Sequence, residues 1–310
     1  MAAQREWTLR HGEPVYLRTA PVDPRDLFRG DYVRLDYEVS TLPGSLADSS
    51  VGPETLAEGG EVFVRLGVGE DGLARAEQVS VERPEAGLYL EGMAEPYRHT
   101  KEAVGALRVR YGIEKYFVEQ GKGLAMEERR GGRNDVQVPL EMRVAVGARG
   151  LGVISGHRWS RLGIGLTLVR EVPENAEGEI RNAVMQLTLK NVSGASLTLV
   201  ILPDQCSFSL ESSRTAPKRL RATRPECAGH EPAPEHARVL GPEESLRFDI
   251  DLNDPRWQVS VDGAETSIGT LPWNQRFRLI YRSLAVLRDG DHTWVGELPS
   301  RAFHGRGWVD

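Results

Sequence analysis

The strongest constraint on this chain is a period-two alternation of apolar and polar residues, broken by glycine or proline about every ten residues. Across residues 31–40, Val33, Leu35, Tyr37 and Val39 fall on one side, and Tyr32, Arg34, Asp36 and Glu38 on the other. That pattern predicts a half-buried strand. Residues 107–118 repeat it, with Val109, Tyr111 and Ile113 opposing Arg108, Arg110 and Glu114. Apolar stripes at helical spacing are scarce, and only residues 124–130 read as a helix, of about two turns. The 33 glycines and 18 prolines suit many short strands and turns, so the fold class is mainly β.

At roughly 150 residues per domain, 310 residues make about two domains. The first is read as an irregular β-rich unit over residues 1–157. Its strands fall at 15–19, 31–40, 61–67, 76–82, 88–92 and 107–118, followed by a hairpin of 136–146 with 151–155. Residues 20–30 and 41–60 read as loops. The second unit, residues 164–310, has seven expected strands: 166–171, 181–190, 195–202, 207–210, 245–252, 257–261 and 276–284. That number fits an immunoglobulin-like β-sandwich. Residues 215–238, rich in Pro, Arg and Ala, read as a long mobile loop. The tail, 295–310, either packs on a sheet or is partly disordered.

Arginine far outnumbers lysine, which fits codon bias in a GC-rich bacterial genome. Nucleic-acid binding through arginine forks would need a net-positive face, and both halves are neutral to acidic within a net charge of −6. No nucleic-acid partner is therefore expected. The longest apolar run, residues 197–202, is far shorter than the roughly 18 residues that span a bilayer, and the N-terminus lacks a hydrophobic signal core. Cys206 and Cys227 are the only cysteines. They fit a disulfide closing a loop of about 20 residues, a pair of free thiols, or a metal site.

The run Gly30-Asp31-Tyr32-Val33-Arg34-Leu35-Asp36-Tyr37 resembles the bacterial family named for the pattern GDYXXLXY. The flanks carry the resemblance further: residues 21–29 precede the motif, and residues 110–123, from Arg110-Tyr111-Gly112 to Gly121-Lys122-Gly123, follow it. The likeness covers residues 5–155. It implies a cell-envelope protein of unknown activity, with a membrane helix just before the position where this chain begins, that accompanies multi-spanning membrane proteins. This chain lacks that helix. Removal of the anchor is favoured over a soluble, cytoplasmic member, which places the protein in the periplasm or on the outer face of the cytoplasmic membrane. The second half is similar to immunoglobulin-like accessory domains of bacterial surface and secreted proteins, on the strength of Leu187-Thr188-Leu189-Lys190-Asn191-Val192-Ser193 and Leu240-Gly241-Pro242-Glu243-Glu244-Ser245. Some such domains inhibit proteinases.

Asp31 reads first as a structural carboxylate accepting backbone N–H groups of the preceding loop, with Gly30 supplying an unusual backbone angle. Contact with a ligand or partner is the second reading, shared with Tyr32 and Tyr37; Glu114, Glu119 and Lys122, with Tyr111 and Tyr116, could line a polar groove for a peptide or glycan or make up an ordinary sheet face. Leu35, Gly112, Gly121 and Gly123 read as structural parts of the two blocks. A Gly-Asp pair after a Pro-rich loop also occurs in β-sheet signal peptidases, but residues 1–39 contain no serine nucleophile. Gly121-Lys122-Gly123 lacks the spacing of a phosphate loop and reads as a turn. His230, Glu231, Glu235 and His236 with the cysteines make a poor zinc site, because only Cys227 and His230 approach chelating spacing. His11, His99 and His157 stand alone, and no catalytic triad or paired carboxylates can be assembled.

The expectation is a non-enzymatic envelope binding protein that needs no cofactor and has a membrane-protein partner. Its rival is a hydrolase or glycan-modifying enzyme in which Asp31, Glu114 and Glu119 converge in one pocket. A third reading is a proteinase inhibitor built on the second domain.

Overall fold

The computed structural model describes residues 2–20, 32–52, 58–95, 106–119, 122–132, 135–170, 182–283 and 293–307. The expected Gly30, Asp31 and Gly121 lie outside them. The fold is mainly β. Among the described residues there are two α-helices and twenty strands. Backbone contacts divide the chain into two units, Met1–Arg130 with Pro139–Trp159, and Gly131–Val138 with Ser160–Asp310.

The first unit opens with helix α1 (Ala2–His11) and strand β1 (Glu13–Arg18). It continues through β2 (Tyr32–Arg34), β3 (Thr41–Pro43), β4 (Gly60–Val68), β5 (Ala74–Ser80), β6 (Tyr89–Ala94), β7 (Ala106–Arg110) and β8 (Lys115–Phe117). Helix α2 (Lys122–Arg130), β9 (Leu140–Val146) and β10 (Gly152–Trp159) complete it. The sheets run β3-β7-β6-β4-β5, β1-β9-β10 and β2-β8, with antiparallel pairing throughout. They close over one apolar core that includes Leu17, Leu35, Val64, Leu90, Val109 and Met142.

Three expectations need correction here. Residues 31–40 do not form one strand: regular pairing ends at Arg34, and Glu38–Ser40 is a 3-10 turn. The alternation still marks burial, since Val33, Leu35, Tyr37 and Val39 all face the core. The backbone leaves the ladder because its partners change: Leu35 N–H donates to Glu114 O at 2.8 Å, while Asp36 O accepts from Ala20 N–H at 2.7 Å. Residues 107–118 likewise split into β7 and β8 at Gly112, whose φ of +75° suits glycine. Part of the expected loop 41–60 is ordered as β3 and a 3-10 turn, Gly44–Leu46. Helix α1 left no sequence signal, because it buries only Thr8.

The second unit holds β11 (Leu162–Arg170), β12 (Val184–Asn191), β13 (Leu197–Val200), β14 (Phe208–Ser212) and β15 (Ala237–Leu240). It ends with β16 (Ser245–Asp251), β17 (Val259–Val261), β18 (Ala264–Thr266), β19 (Phe277–Ser283) and β20 (Gly296–Pro299). One sheet runs β11-β12-β16 and another β14-β19-β20. Taken in chain order, these two strand orders match A-B-E and C-F-G of an immunoglobulin-like sandwich. Alternate residues turn inward as expected: Ile164, Leu187 and Ile250 from the first sheet meet Leu210, Leu279 and Leu298 from the second in one core.

The expected mobile loop, 215–238, is tied down. Ala222 is buried and donates its N–H to Leu210 O at 3.0 Å, and β15 pairs with β13. Cys206 and Cys227 are disulfide-bonded, with Cα atoms 5.3 Å apart. Beside them Arg224 lies 4.7 Å from the Trp257 ring centroid and donates to the carbonyls of Asp204, Gln205 and Phe208. Bonding to each other removes both sulfurs from any zinc site. The tail also packs: β20 adds to β19, and Phe303 exchanges backbone bonds with Phe277.

His304 closes that tail, at 1% exposure. Its Nδ1 accepts from Arg306 N–H at 3.2 Å, which leaves Nε2 to donate to Leu271 O at 3.1 Å, so the neutral imidazole is held. Burial, reinforced by the charges of Arg276 and Arg306, holds its pKa below the ordinary 6.5. The unfolded chain therefore takes up this proton first. Stability from His304 is complete above pH 6.5 and is lost as the pH falls through the lowered folded value. Urea denaturation from pH 8 to pH 5 checks this. His304→Gln should flatten the acid-side decline relative to the parent chain, and an unchanged slope would contradict it.

Candidate functional site

The two blocks singled out by the sequence meet in the first unit, and two tyrosines join them. Tyr37 donates its hydroxyl to Ile113 O at 2.7 Å, and Tyr111 donates its hydroxyl to Val39 O at 2.6 Å. Each segment thus sends a hydroxyl to the other's backbone. Glu114 adds a local clasp by accepting the Tyr111 N–H at 2.6 Å. Tyr37 and Tyr111 are 0% and 6% exposed, so neither offers a contact surface. Burial pushes both phenols above their ordinary value, and the nearby Glu114 carboxylate adds to the rise. Both remain neutral donors. Leu35 is core, Gly112 turns the chain, and Gly123 is buried in α2.

The remaining expected residues take no part in this exchange of hydroxyl bonds. Glu119 and Lys122 form an exposed ion pair at 2.7 Å, and each holds the other in its charged form. Tyr32 lies on β2 opposite Phe117. Tyr116 is half-buried, and its hydroxyl meets His157 Nδ1 at 3.2 Å. This last contact opens onto residues that sequence reasoning missed. His157 stands edge-on to Tyr116 and to Trp159, with ring centroids 5.7 and 6.4 Å away. The Arg129 guanidinium lies 5.2 Å from the Trp159 ring centroid. Burial, followed by the Arg129 charge, lowers the His157 pKa. The sequence signal was available, since Ser155, His157 and Trp159 occupy alternate positions at the end of β10.

A recess of only about 20 Å³ adjoins this corner, lined in part by Val33, Leu35, Met126, Leu140 and Trp159. A wider cleft of about 480 Å³ lies between α1 and the β9–β10 turn, beside Trp7, His11 and Arg149. Glu114 and Glu119 line neither cleft. No group of three or more His, Cys, Asp or Glu suited to a metal ion occurs among the described residues.

The family model described as GDYXXLXY protein matches residues 1–156, and the chain belongs to that family. Searches of curated proteins and of solved structures returned no match. The C-terminal half has no family assignment.

Tyr111→Phe should cost about 1–3 kcal/mol, because Val39 O is left buried without its donor. Gly112→Ala should cost about 1 kcal/mol through its left-handed backbone. Urea denaturation measures both, and neutral effects would show that the clasp is not structural.

Proposed function

We propose that this protein is a non-enzymatic binding protein of the bacterial cell envelope, and that its first unit engages a membrane-protein partner. The corner formed by Tyr116, His157, Trp159 and Arg129 carries the reading. It combines aromatic edges, a hydrogen-bonding imidazole and a guanidinium on one surface, the residue types that anchor protein interfaces. The Cys206–Cys227 disulfide supports an oxidising compartment. The engaged carboxylates support binding over catalysis: Glu114 holds a backbone N–H and Glu119 holds Lys122. The second unit then serves as a spacer or second contact.

The test is crosslinking followed by pull-down from native membranes. A multi-spanning membrane protein should be recovered with the parent chain and lost with His157→Ala/Trp159→Ala, while Glu119→Gln leaves recovery unchanged. Recovery of no envelope protein, or equal recovery with every variant, would overturn the reading. Thiol titration of denatured, unreduced protein from its native compartment should find no free thiol.

A further inference from the structure

Helix α1 turns an unusual face toward the body of the first unit. Gln4, Trp7, Thr8 and His11 recur at i, i+3, i+4 and i+7, the spacing that normally packs a helix onto a core. Of the four, only Thr8 is buried. All of them line the cleft of about 480 Å³ between α1 and the β9–β10 turn, a volume within the range of small-ligand sites. Trp7 is 66% exposed there, which leaves a large apolar ring in water.

The wall opposite the helix is fixed by its own bonds. A Cβ at Gly147 would stand 2.9 Å from Thr8 Oγ1, so this glycine sets how closely the turn approaches α1. Within the turn, Gly147 N–H donates to Leu151 O at 3.0 Å and Gly150 N–H to Gly147 O at 2.8 Å. From β6, the Tyr89 hydroxyl donates to Ala148 O at 3.0 Å and the Glu91 N–H to Gly150 O at 2.9 Å. Such a wall needs little ordering when a ligand arrives.

The Trp7 and His11 rings stack with centroids 3.9 Å apart and planes 22° from parallel. His11 thus covers one face of the indole and leaves the other as a platform. His11 Nδ1 donates to Trp7 O at 3.1 Å, which leaves Nε2 of the neutral ring as an acceptor. Gln4 adds an amide that both donates and accepts. Arg149, exposed on the turn, lines the other side. Its charge acts on Glu91, which Arg83 also serves, and its guanidinium makes no hydrogen bond or ion pair among the described residues. A flat aromatic face ringed by hydroxyl-binding groups suits a pyranose, whose C–H face is apolar and whose rim is polar. The guanidinium fork adds a place for a carboxylate. A peptide adding to an edge would need free backbone groups, and the carbonyls of Gly147, Ala148, Gly150 and Leu151 are already bonded.

We propose that this cleft binds an acidic glycan, with a sugar ring on Trp7 and its carboxylate on Arg149. The site lies at the opposite end of β10 from His157 and Trp159, so its test is separate from that of the partner corner.

The full chain is titrated against an array of immobilised oligosaccharides, some containing uronate or N-acetylmuramate and the others their neutral counterparts. At least one acidic chain should bind, and more tightly than its neutral counterpart. Trp7→Ala should weaken that binding at least about tenfold, and Trp7→Phe, which keeps a smaller ring, should weaken it less. Arg149→Gln should abolish the preference for the acidic chain. Arg5→Gln, the same charge change on α1 outside the cleft, should leave binding unchanged, and thermal melts verify folding of each variant. Failure of every acidic chain to bind overturns the proposal, as does binding that survives Trp7→Ala or an acidic preference that survives Arg149→Gln. Equal loss with Arg5→Gln, or tighter binding to oligoglutamate than to any glycan, also overturns it, the latter by assigning the cleft to an acidic peptide.

Discussion

Two hydroxyl groups crossing between two chain segments hold the family motif in place. Tyr37 reaches Ile113 O while Tyr111 reaches Val39 O, so each segment satisfies a backbone acceptor of the other in the core. Buried carbonyls need donors, and neither segment is regular enough to supply them through a sheet ladder. The 3-10 turn at Glu38–Ser40 and the break at Gly112 are tolerable because the tyrosines replace the missing ladder bonds. Glu114 completes the arrangement from the backbone side. The tyrosine that ends the motif thus acts as a structural fastener, and its position deep in the core follows from that role.

This fastening separates two properties that the sequence presented together. The sequence offers Tyr37 as a ligand contact and the tyrosines and acids of the second block as one polar groove. Folding divides them into an inner set, Tyr37, Tyr111 and Glu114, committed to backbone groups, and an outer set, Tyr116, Glu119 and Lys122. Only Tyr116 of the outer set joins a larger aromatic surface, through His157. The cluster of Tyr116, His157, Trp159 and Arg129 thus lies away from the buried tyrosines, at the junction of β8, β10 and α2.

Alternation was a dependable guide to which residues are buried, as Val33, Leu35 and Val109 show, because a side chain's direction depends mainly on local extended backbone. It was a weaker guide to strand continuity, since hydrogen-bond partners come from distant segments. The same limit explains the misread loop at 215–238. Its Pro- and Arg-rich composition looks mobile, but the disulfide, the Arg224 fork and Ala222 in the core tie it down. Short strands such as β18 and β20 carry too few residues to show a period. His157 looked isolated because Tyr116 and Arg129 reach it from two other elements, β8 and α2.

The most direct test of the fastening is a double-mutant cycle on Tyr37→Phe and Tyr111→Phe, read by urea denaturation. The two hydroxyls share the same pair of segments, so their effects should not add: the account predicts a coupling of about 0.5 kcal/mol or more. Strict additivity, or two substitutions that leave stability unchanged, would contradict it.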